Sequence, residues 1–292
     1  MVVGFIQAGS ESGWRAANTS SFKETAVEKG ITLKLFDSQH KLDSQISDFM
    51  TFTADPQVNV IVLAATNVSG YDDVLRAAKA AGKLVILEDS RVDTDPSLYY
   101  TYVGSDFHAQ GQKAAVAMCT ALKDFKSKRV AEVSGSDGLQ AEIDRAKGFG
   151  EIVGDCGIDI PQPFSAAEIC QDPAPKANME CILRRHTTLQ GVFAHTDEAA
   201  VGAIQAIKEA GLKPGKDVMV VGIDGTADGL KHLLSGELYA DVDSTPLLGP
   251  LVYESALRGL NGDTSVPKSI SPTEQVYTSA SLPKCWPRCS SY

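Results

Sequence analysis

The sequence is short of whatever would carry it across a membrane or onto a nucleic acid. Its longest nearly apolar run, Val58 to Ala65, is interrupted by Asn59. A membrane-spanning helix needs roughly 20 apolar residues. No stripe of Lys or Arg occurs, and 27 basic against 37 acidic side chains leave a formal charge of −10. Nucleic-acid affinity rests on neutralised phosphates, so no nucleic-acid partner is expected. Several enzyme signatures are also missing. No G-x-G-x-x-G follows the first strand-like run, and there is no P-loop, H-E-x-x-H or G-x-S-x-G, which removes the dinucleotide, phosphate-cradle, zincin and hydrolase readings. Ser134-Gly135-Ser136-Asp137-Gly138 is glycine-rich but lacks the lysine that reaches a phosphate. Neither cofactor nor metal is expected.

A basic, then apolar, leader is absent ahead of Val2-Val3-Gly4-Phe5-Ile6, so a signal peptide is expected to have been removed or never to have existed. The 6 cysteines are too few for a chain of 292 residues to be a disulfide-stapled miniprotein. Cys156, Cys170 and Cys181 fall in one stretch, Cys285 and Cys289 flank Trp286-Pro287-Arg288, and Cys119 stands apart on a helix-like stretch. Disulfides in an oxidising compartment are the favoured reading, and buried thiols the alternative. Cys-x3-Cys has no second ligand pair near it, which argues against a metal site. The pairing stays open. Two sequons, at Asn18 and Asn67, carry little weight because such triplets arise often by chance.

What the chain does have is alternation. Strand-like runs at Val2–Gln7, Ile31–Phe36, Val58–Leu63 and Leu84–Leu87 are separated by helical patterns at Trp14–Lys29, Ser44–Thr53 and Tyr71–Ala81. After Tyr102-Val103-Gly104 the cycle restarts. Strands are expected at Arg129–Val133, Gly191–Ala194 and Val218–Gly222, and helices at Ala109–Lys123, Gln140–Ile152 and Ala199–Gly211. Short strands joined by helices of this length make parallel sheets with right-handed crossovers. Two such runs predict two similar α/β lobes. Strands at Tyr239–Asp243 and Glu274–Tyr277 follow, and the last part of the chain is expected to cross back between the lobes.

Ligands of open α/β sheets bind beyond the carboxyl ends of the strands. The residues there are Gly9 to Arg15, Glu88-Asp89-Ser90-Arg91, His195-Thr196-Asp197-Glu198 and Asp224-Gly225-Thr226, with Asp144-Arg145 on a following helix. Carboxylates, guanidinium groups and Trp14 recur at equivalent places. Sugars need this mixture: vicinal hydroxyls match carboxylate or Arg partners, and the C–H face of the ring lies on an aromatic plane. Each residue has a plainer reading. Trp14 competes with ordinary core, Asp89 and Asp224 with capping roles, Arg91 with a solvated charge and Arg145 with a surface pair to Asp144. His195 reads as a structural hydrogen-bonding group rather than a base. Asp197-Glu198 read as the start of a helix, where negative charge suits the dipole.

These residues carry a family resemblance. Val3-Gly4-Phe5, Gly9-Ser10-Glu11-Ser12-Gly13-Trp14-Arg15-Ala16-Ala17, Ile143-Asp144-Arg145 with Lys147-Gly148-Phe149, Ile204 to Asp217 and Val221-Gly222-Ile223-Asp224-Gly225 together resemble bacterial periplasmic sugar-binding proteins of the ribose-binding type, nearest their galactofuranose-binding branch. The resemblance runs from about residue 2 to 280. It implies an α/β chain of two Rossmann-like lobes with parallel sheets, a three-crossing hinge and a ligand cleft between them, the type I periplasmic binding protein architecture. The expected lobes are 1–104 plus 244–272 and 105–243 plus 273–292. Family binding positions fall on Glu11, Ser12, Gly13, Trp14, Arg15, Asp89, Arg145 and Asp224. The chain departs from the family at three places. Ser90 stands between Asp89 and Arg91, where the family usually has Asp-Arg. Thr196 replaces a usual Asn, and Ser244 a usual Gln or Glu. Losing a hydroxyl partner changes sugar discrimination strongly. The cysteine set and the tail from Lys284 also differ from the bacterial relatives.

The expectation is therefore a monomeric, periplasmic or secreted, non-catalytic receptor that closes on a monosaccharide and presents it to the membrane subunits of an ABC permease. Two rivals are weighed. The effector-binding part of a transcriptional regulator shares this fold but needs a helix-turn-helix ahead of the first strand. A sugar-processing enzyme needs a base poised near neutral pH.

Overall fold

The computed structural model describes residues 1–10, 12–134, 140–160, 174–186 and 188–282. Glu11, the stretch from Gly135 to Gly138, Cys170, Cys285 and Cys289, all singled out from the sequence, lie outside the described residues. The chain divides into two compact units. Unit 1 comprises Met1–Ser105 and Thr245–Thr273; unit 2 comprises Asp106–Ser244 and the residues from Glu274 on. The chain thus passes from one unit to the other at 105/106, 244/245 and 273/274.

In unit 1 the strands are β1 (Val2–Gln7), β2 (Thr32–Asp37), β3 (Val60–Leu63), β4 (Leu84–Glu88), β5 (Thr101–Val103) and β10 (Ser269–Ile270), in the order β10-β5-β4-β3-β1-β2. Every pairing is parallel. All four residues of β3 are buried, as expected of a strand covered on both faces. Helices α2 (Leu42–Ala54) and α3 (Asp72–Ala80) cover one face, around Phe49, Ile61, Leu75 and Leu87. Helix α1 (Gly13–Lys29) and α9 (Gly249–Leu260) cover the other, where Phe22 stacks on Phe5 with ring centroids 4.0 Å apart.

In unit 2 the sheet order is β11-β9-β8-β7-β6, with β6 (Val130–Val133), β7 (Gly191–Ala194), β8 (Met219–Asp224), β9 (Ala240–Asp243) and β11 (Val276–Tyr277). Helices α4 (Phe107–Ala121) and α5 (Gln140–Val153) cover one face. Helices α6 (Pro175–Arg185), α7 (Asp197–Glu209) and α8 (Ala227–Leu234) cover the other. The expected all-parallel sheet needs one correction, because β11 pairs antiparallel to β9. The chain re-entering unit 2 at 273/274 runs back along the strand that has just led out of it, with the Asp243 N–H donating to the Gln275 carbonyl at 2.8 Å.

The regular elements that the sequence reading missed are mostly helices announced by proline. Pro250 and Pro175 occupy the first turns of α9 and α6, where proline's missing N–H costs nothing. The expectation that the chain merely crosses back after residue 243 is corrected accordingly, since residues 245–273 contribute α9 and β10 to unit 1. Cys119 is not solitary. It forms a disulfide with Cys156, 37 residues on, because α4 packs along α5 and brings the two together. Cys181 is disulfide-bonded as well.

Candidate functional site

In unit 1, β1 ends in a loop that leads into α1. Ser12 caps that helix, its hydroxyl accepting from the Arg15 N–H at 3.2 Å. The cap fixes the first turn, and Trp14 and Arg15 sit there, both half-buried. The Arg15 guanidinium lies 5.0 Å from the centre of the Trp14 ring and reaches Asp89 Oδ2 at 2.7 Å. Asp89 follows the end of β4 with a left-handed backbone, φ 57°. Aspartate tolerates this region better than most residues. The turn is held in place from two sides: the Asp89 N–H donates to the Val103 carbonyl at 3.0 Å, and the Tyr102 hydroxyl donates to the Asp89 carbonyl at 2.7 Å.

Behind Asp89 lies a buried polar chain. Gln7 Nε2 donates to Asn18 Oδ1 at 2.8 Å, and Asn18 Nδ2 donates to Glu88 Oε1 at 2.7 Å and to the Pro246 carbonyl at 3.0 Å. Glu88 is fully buried beside a second carboxylate. Burial, then repulsion from Asp89, push its carboxyl up to about 8, against the lowering effects of Arg15 and Asn18. It is therefore neutral at pH 7. Asn18, one of the two sequon asparagines, is fully buried and bonded, and is no glycosylation acceptor in this fold.

In unit 2 the site is built on one interlock. Gly111 of α4 and Gly148 of α5 face each other so closely that a Cβ on Gly111 would lie 2.1 Å from the Arg145 carbonyl, and one on Gly148 would lie 2.1 Å from the His108 carbonyl. Only glycines permit this approach, and it sets Arg145 against Gln110. Arg145 is 4% exposed. Its Nε donates to Gln110 Oε1 at 2.9 Å, its Nη1 to the His195 carbonyl at 2.7 Å and its Nη2 to Ser244 Oγ at 3.3 Å. Nη2 also stands 3.8 Å from Asp224 Oδ1, an ion pair. The guanidinium is thus held at every edge.

Asp224 closes β8 with φ 137°, a strained value for a side chain of this kind. The Asp197 N–H, at the start of α7, donates to Asp224 Oδ2 at 3.2 Å, and the Ser244 N–H donates to the Asp224 carbonyl at 3.1 Å. Asp197 Oδ2 accepts from both the N–H and the hydroxyl of Thr226, each at 2.6 Å, and so ties α7 to α8. Asp197 and Asp241 are buried side by side, and their mutual repulsion adds to burial in holding the Asp241 carboxyl well above its ordinary range. One buried cation, Arg145, faces the buried acids Asp224 and Asp197, and Asp241 is a third buried acid beside those two. Burial pushes Asp224 and Asp241 upward, and for Asp224 Arg145 offsets this only in part.

Of the residues expected at the site, Ser12, Trp14, Arg15, Asp89 and Ser90 come together in unit 1, with Gly13 at the exposed start of α1. The Ser90 hydroxyl donates to Asp89 Oδ2 at 3.3 Å. Arg91 lies apart from the Arg15–Asp89 pair, 3.8 Å over the Tyr102 ring and bonded to Ser269 Oγ at 2.7 Å. Arg145, Asp224 and Ser244 come together in unit 2. Thr196 caps α7 beside them, accepting from the Ala199 N–H. His195 Nε2 lies 3.2 Å from Glu132 Oε2, which accords with the structural role read from sequence. Gln110, Glu88 and Asp241 were missed as supports. Each is an ordinary polar residue within a helix or strand, and only its burial singles it out.

The family described as "Periplasmic binding protein domain" matches residues 3–264. The chain is 37% identical to the galactofuranose-binding protein YtfQ of Escherichia coli over 281 residues, 94% of this chain and 86% of the relative. Among solved structures, it superposes with a TM-score of 0.86 and 36% identity on the periplasmic binding protein of the arabinose ABC transporter of Shewanella sp. ANA-3, bound to alpha and beta-L-arabinofuranose, covering 96% of this chain and 92% of that one. A protein from Mycobacterium smegmatis in complex with beta-D-fucofuranose gives a TM-score of 0.84 at 33% identity, with 96% and 92% covered.

Proposed function

The chain belongs to the periplasmic binding protein family, and we propose that it captures a monosaccharide in its furanose form and hands it, unaltered, to the membrane subunits of an ABC importer. The family is one of binding proteins and not of enzymes. One observation carries the reading: in each unit an arginine–aspartate pair stands at the carboxyl end of the sheet, with the aspartate in left-handed backbone. Such pairs offer donor and acceptor side by side, which vicinal hydroxyls require. The ring size is supported by the three relatives above, a galactofuranose-binding protein and two proteins bound to arabinofuranose and fucofuranose.

In this reading the sugar is gripped from both units. Arg15, Asp89 and Ser90 bond hydroxyls, Trp14 packs on the C–H face of the ring, and Arg91 flanks them on Tyr102. Ser12 and Gly13 shape the approach to α1, and Glu11, outside the described residues, joins them on the family resemblance alone. From unit 2, Arg145 and Asp224 bond the opposite hydroxyls, with Thr196 and Ser244 at their edges. Ligand selects the closed arrangement of a hinged protein by its higher affinity for that arrangement. Export is proposed with it: among the described residues no helix is long and apolar enough to cross a membrane, and at least one disulfide is formed, which suits an oxidising compartment.

Titration calorimetry with L-arabinose, D-galactose and D-fucose tests the proposal. At least one is expected to bind with sub-millimolar affinity and be recovered unchanged by chromatography. Silence across a wider panel of pentoses and hexoses would sink the sugar reading, and a converted sugar would revive the enzyme.

A further inference from the structure

The three passages of the chain between the units meet at one side chain. Helix α4 begins two residues after the first passage, with Asp106 as its cap, and Gln110 lies on its first turn. Gln110 is fully buried. Its Oε1 accepts from Arg145 Nε at 2.9 Å. Its Nε2 donates to the Asp243 carbonyl at 3.3 Å, one residue from the second passage, and to Glu274 Oε2 at 2.9 Å, the first residue after the third. One turn further along α4, Lys113 Nζ donates to the Glu274 carbonyl at 3.0 Å. The amide has one acceptor end on the guanidinium and one donor end on the two crossing segments. Ser244, at the second passage, accepts from Arg145 Nη2 directly at 3.3 Å, while Gln110 joins the same guanidinium to the third passage as well.

We propose that Gln110 is a positioning residue that links the ligand arginine to the crossing segments, so that a hydroxyl drawn onto Arg145 is felt where the units turn. The proposal rests on the furanose-binding reading for the identity of that ligand, but its geometry is independent of which sugar is bound. An amide suits the place because it accepts from a cation and donates to a carboxylate at once. Leucine fills the space but does neither. Glutamate keeps the arginine bond and meets Glu274 with a like charge.

Gln110→Glu is the informative variant, and Gln110→Glu with Glu274→Gln its partner, since the second change restores a hydrogen bond with donor and acceptor reversed. In the ligand-free protein, amide hydrogen exchange of residues 242–246 and 273–277 is expected to rise about ten-fold in Gln110→Glu, the loss of roughly one buried hydrogen bond. The cores of β7 and β8 should stay as in the unmodified protein, and the double variant should return the crossing segments toward it. Unchanged exchange in both segments, a rise spread evenly over unit 2, or no recovery in the double variant overturns the inference. Titration with L-arabinose and D-galactose is read alongside. If the unmodified protein binds, Gln110→Glu should bind about ten-fold more weakly even though the Arg145 contact is kept, and equal affinity overturns the inference. If the unmodified protein binds neither these sugars nor the wider panel of pentoses and hexoses while the exchange pattern holds, the sugar reading fails and the role of Gln110 stands.

Discussion

The two units solve the same problem with different degrees of commitment. Unit 2 holds its arginine at 4% exposure, bonded at every edge and set against the buried acids Asp224 and Asp197. Unit 1 holds its arginine with a side chain 14% exposed, beside an aromatic ring and with a carboxylate at 2.7 Å. The first is a framework fixed before any ligand arrives. The second is a close pair, which in the proposed reading opens to admit a hydroxyl. Both place an aspartate with positive φ at a strand end, at a cost of about 1–3 kcal/mol each, and both set beside it an acid whose carboxyl burial pushes upward. In the proposed reading the difference gives the receptor one firmly held half to define the guest and one less constrained half to accept it.

The comparison breaks most visibly at the arginines. Arg145→Met removes the cation paired with Asp224 and close to Asp197, and is expected to destabilise unit 2 by about 3–5 kcal/mol. Arg15→Met should cost unit 1 no more than about 1–2 kcal/mol. Segment-resolved hydrogen exchange reads each unit separately, and equal costs would erase the asymmetry. Next in size is the covalent difference. Reducing the Cys119–Cys156 bond, which closes a loop of 37 residues, is expected to lower the stability of unit 2 by about 2–4 kcal/mol and to leave exchange in unit 1 unaltered.

The acids give a finer test. Glu88 has a folded value raised to about 8 from 4.5, so between those pH values the folded chain keeps a proton that the unfolded chain has lost. Its contribution to stability is complete below about pH 4.5 and falls as pH rises to about 8, by at most about 1.4 kcal/mol per pH unit. Glu88→Gln, which imitates the neutral acid, should flatten that slope in unit 1. The same-signed slope of unit 2, from Asp224 and Asp241, should persist in denaturation curves taken at pH 5, 6.5 and 8. The smallest expected effect is at the stacking ring. Trp14→Phe keeps an apolar face of reduced area and should weaken sugar binding about three- to five-fold with unit stability unchanged.

Much of the frame was legible. The alternation of apolar runs gave the strands because buried parallel strands are apolar on both faces, as β3 is throughout. Asp89, Arg145 and Asp224 were legible because they follow strand ends or open the next helix. What stayed hidden depends on distance in sequence. Gln110 reads as an ordinary helix residue until α5 is packed against α4, 35 residues away. Asp241 lies within the strand expected at Tyr239–Asp243, where nothing in sequence marks its carboxyl as buried beside Asp197. Cys119 found its partner through the same helix pair. Helix α9 was overlooked because Pro250 reads as a breaker, whereas it occupies the helix's first turn.

Carbon-13 magnetic resonance of sugars labelled at the anomeric carbon, L-arabinose and D-galactose added in slight excess, addresses ligand class, ring form and chemistry together. The account predicts a slowly exchanging bound signal in the furanose range and a free sugar that keeps its original spectrum for days. A bound pyranose signal, a new product resonance, or no bound signal from either sugar would contradict it.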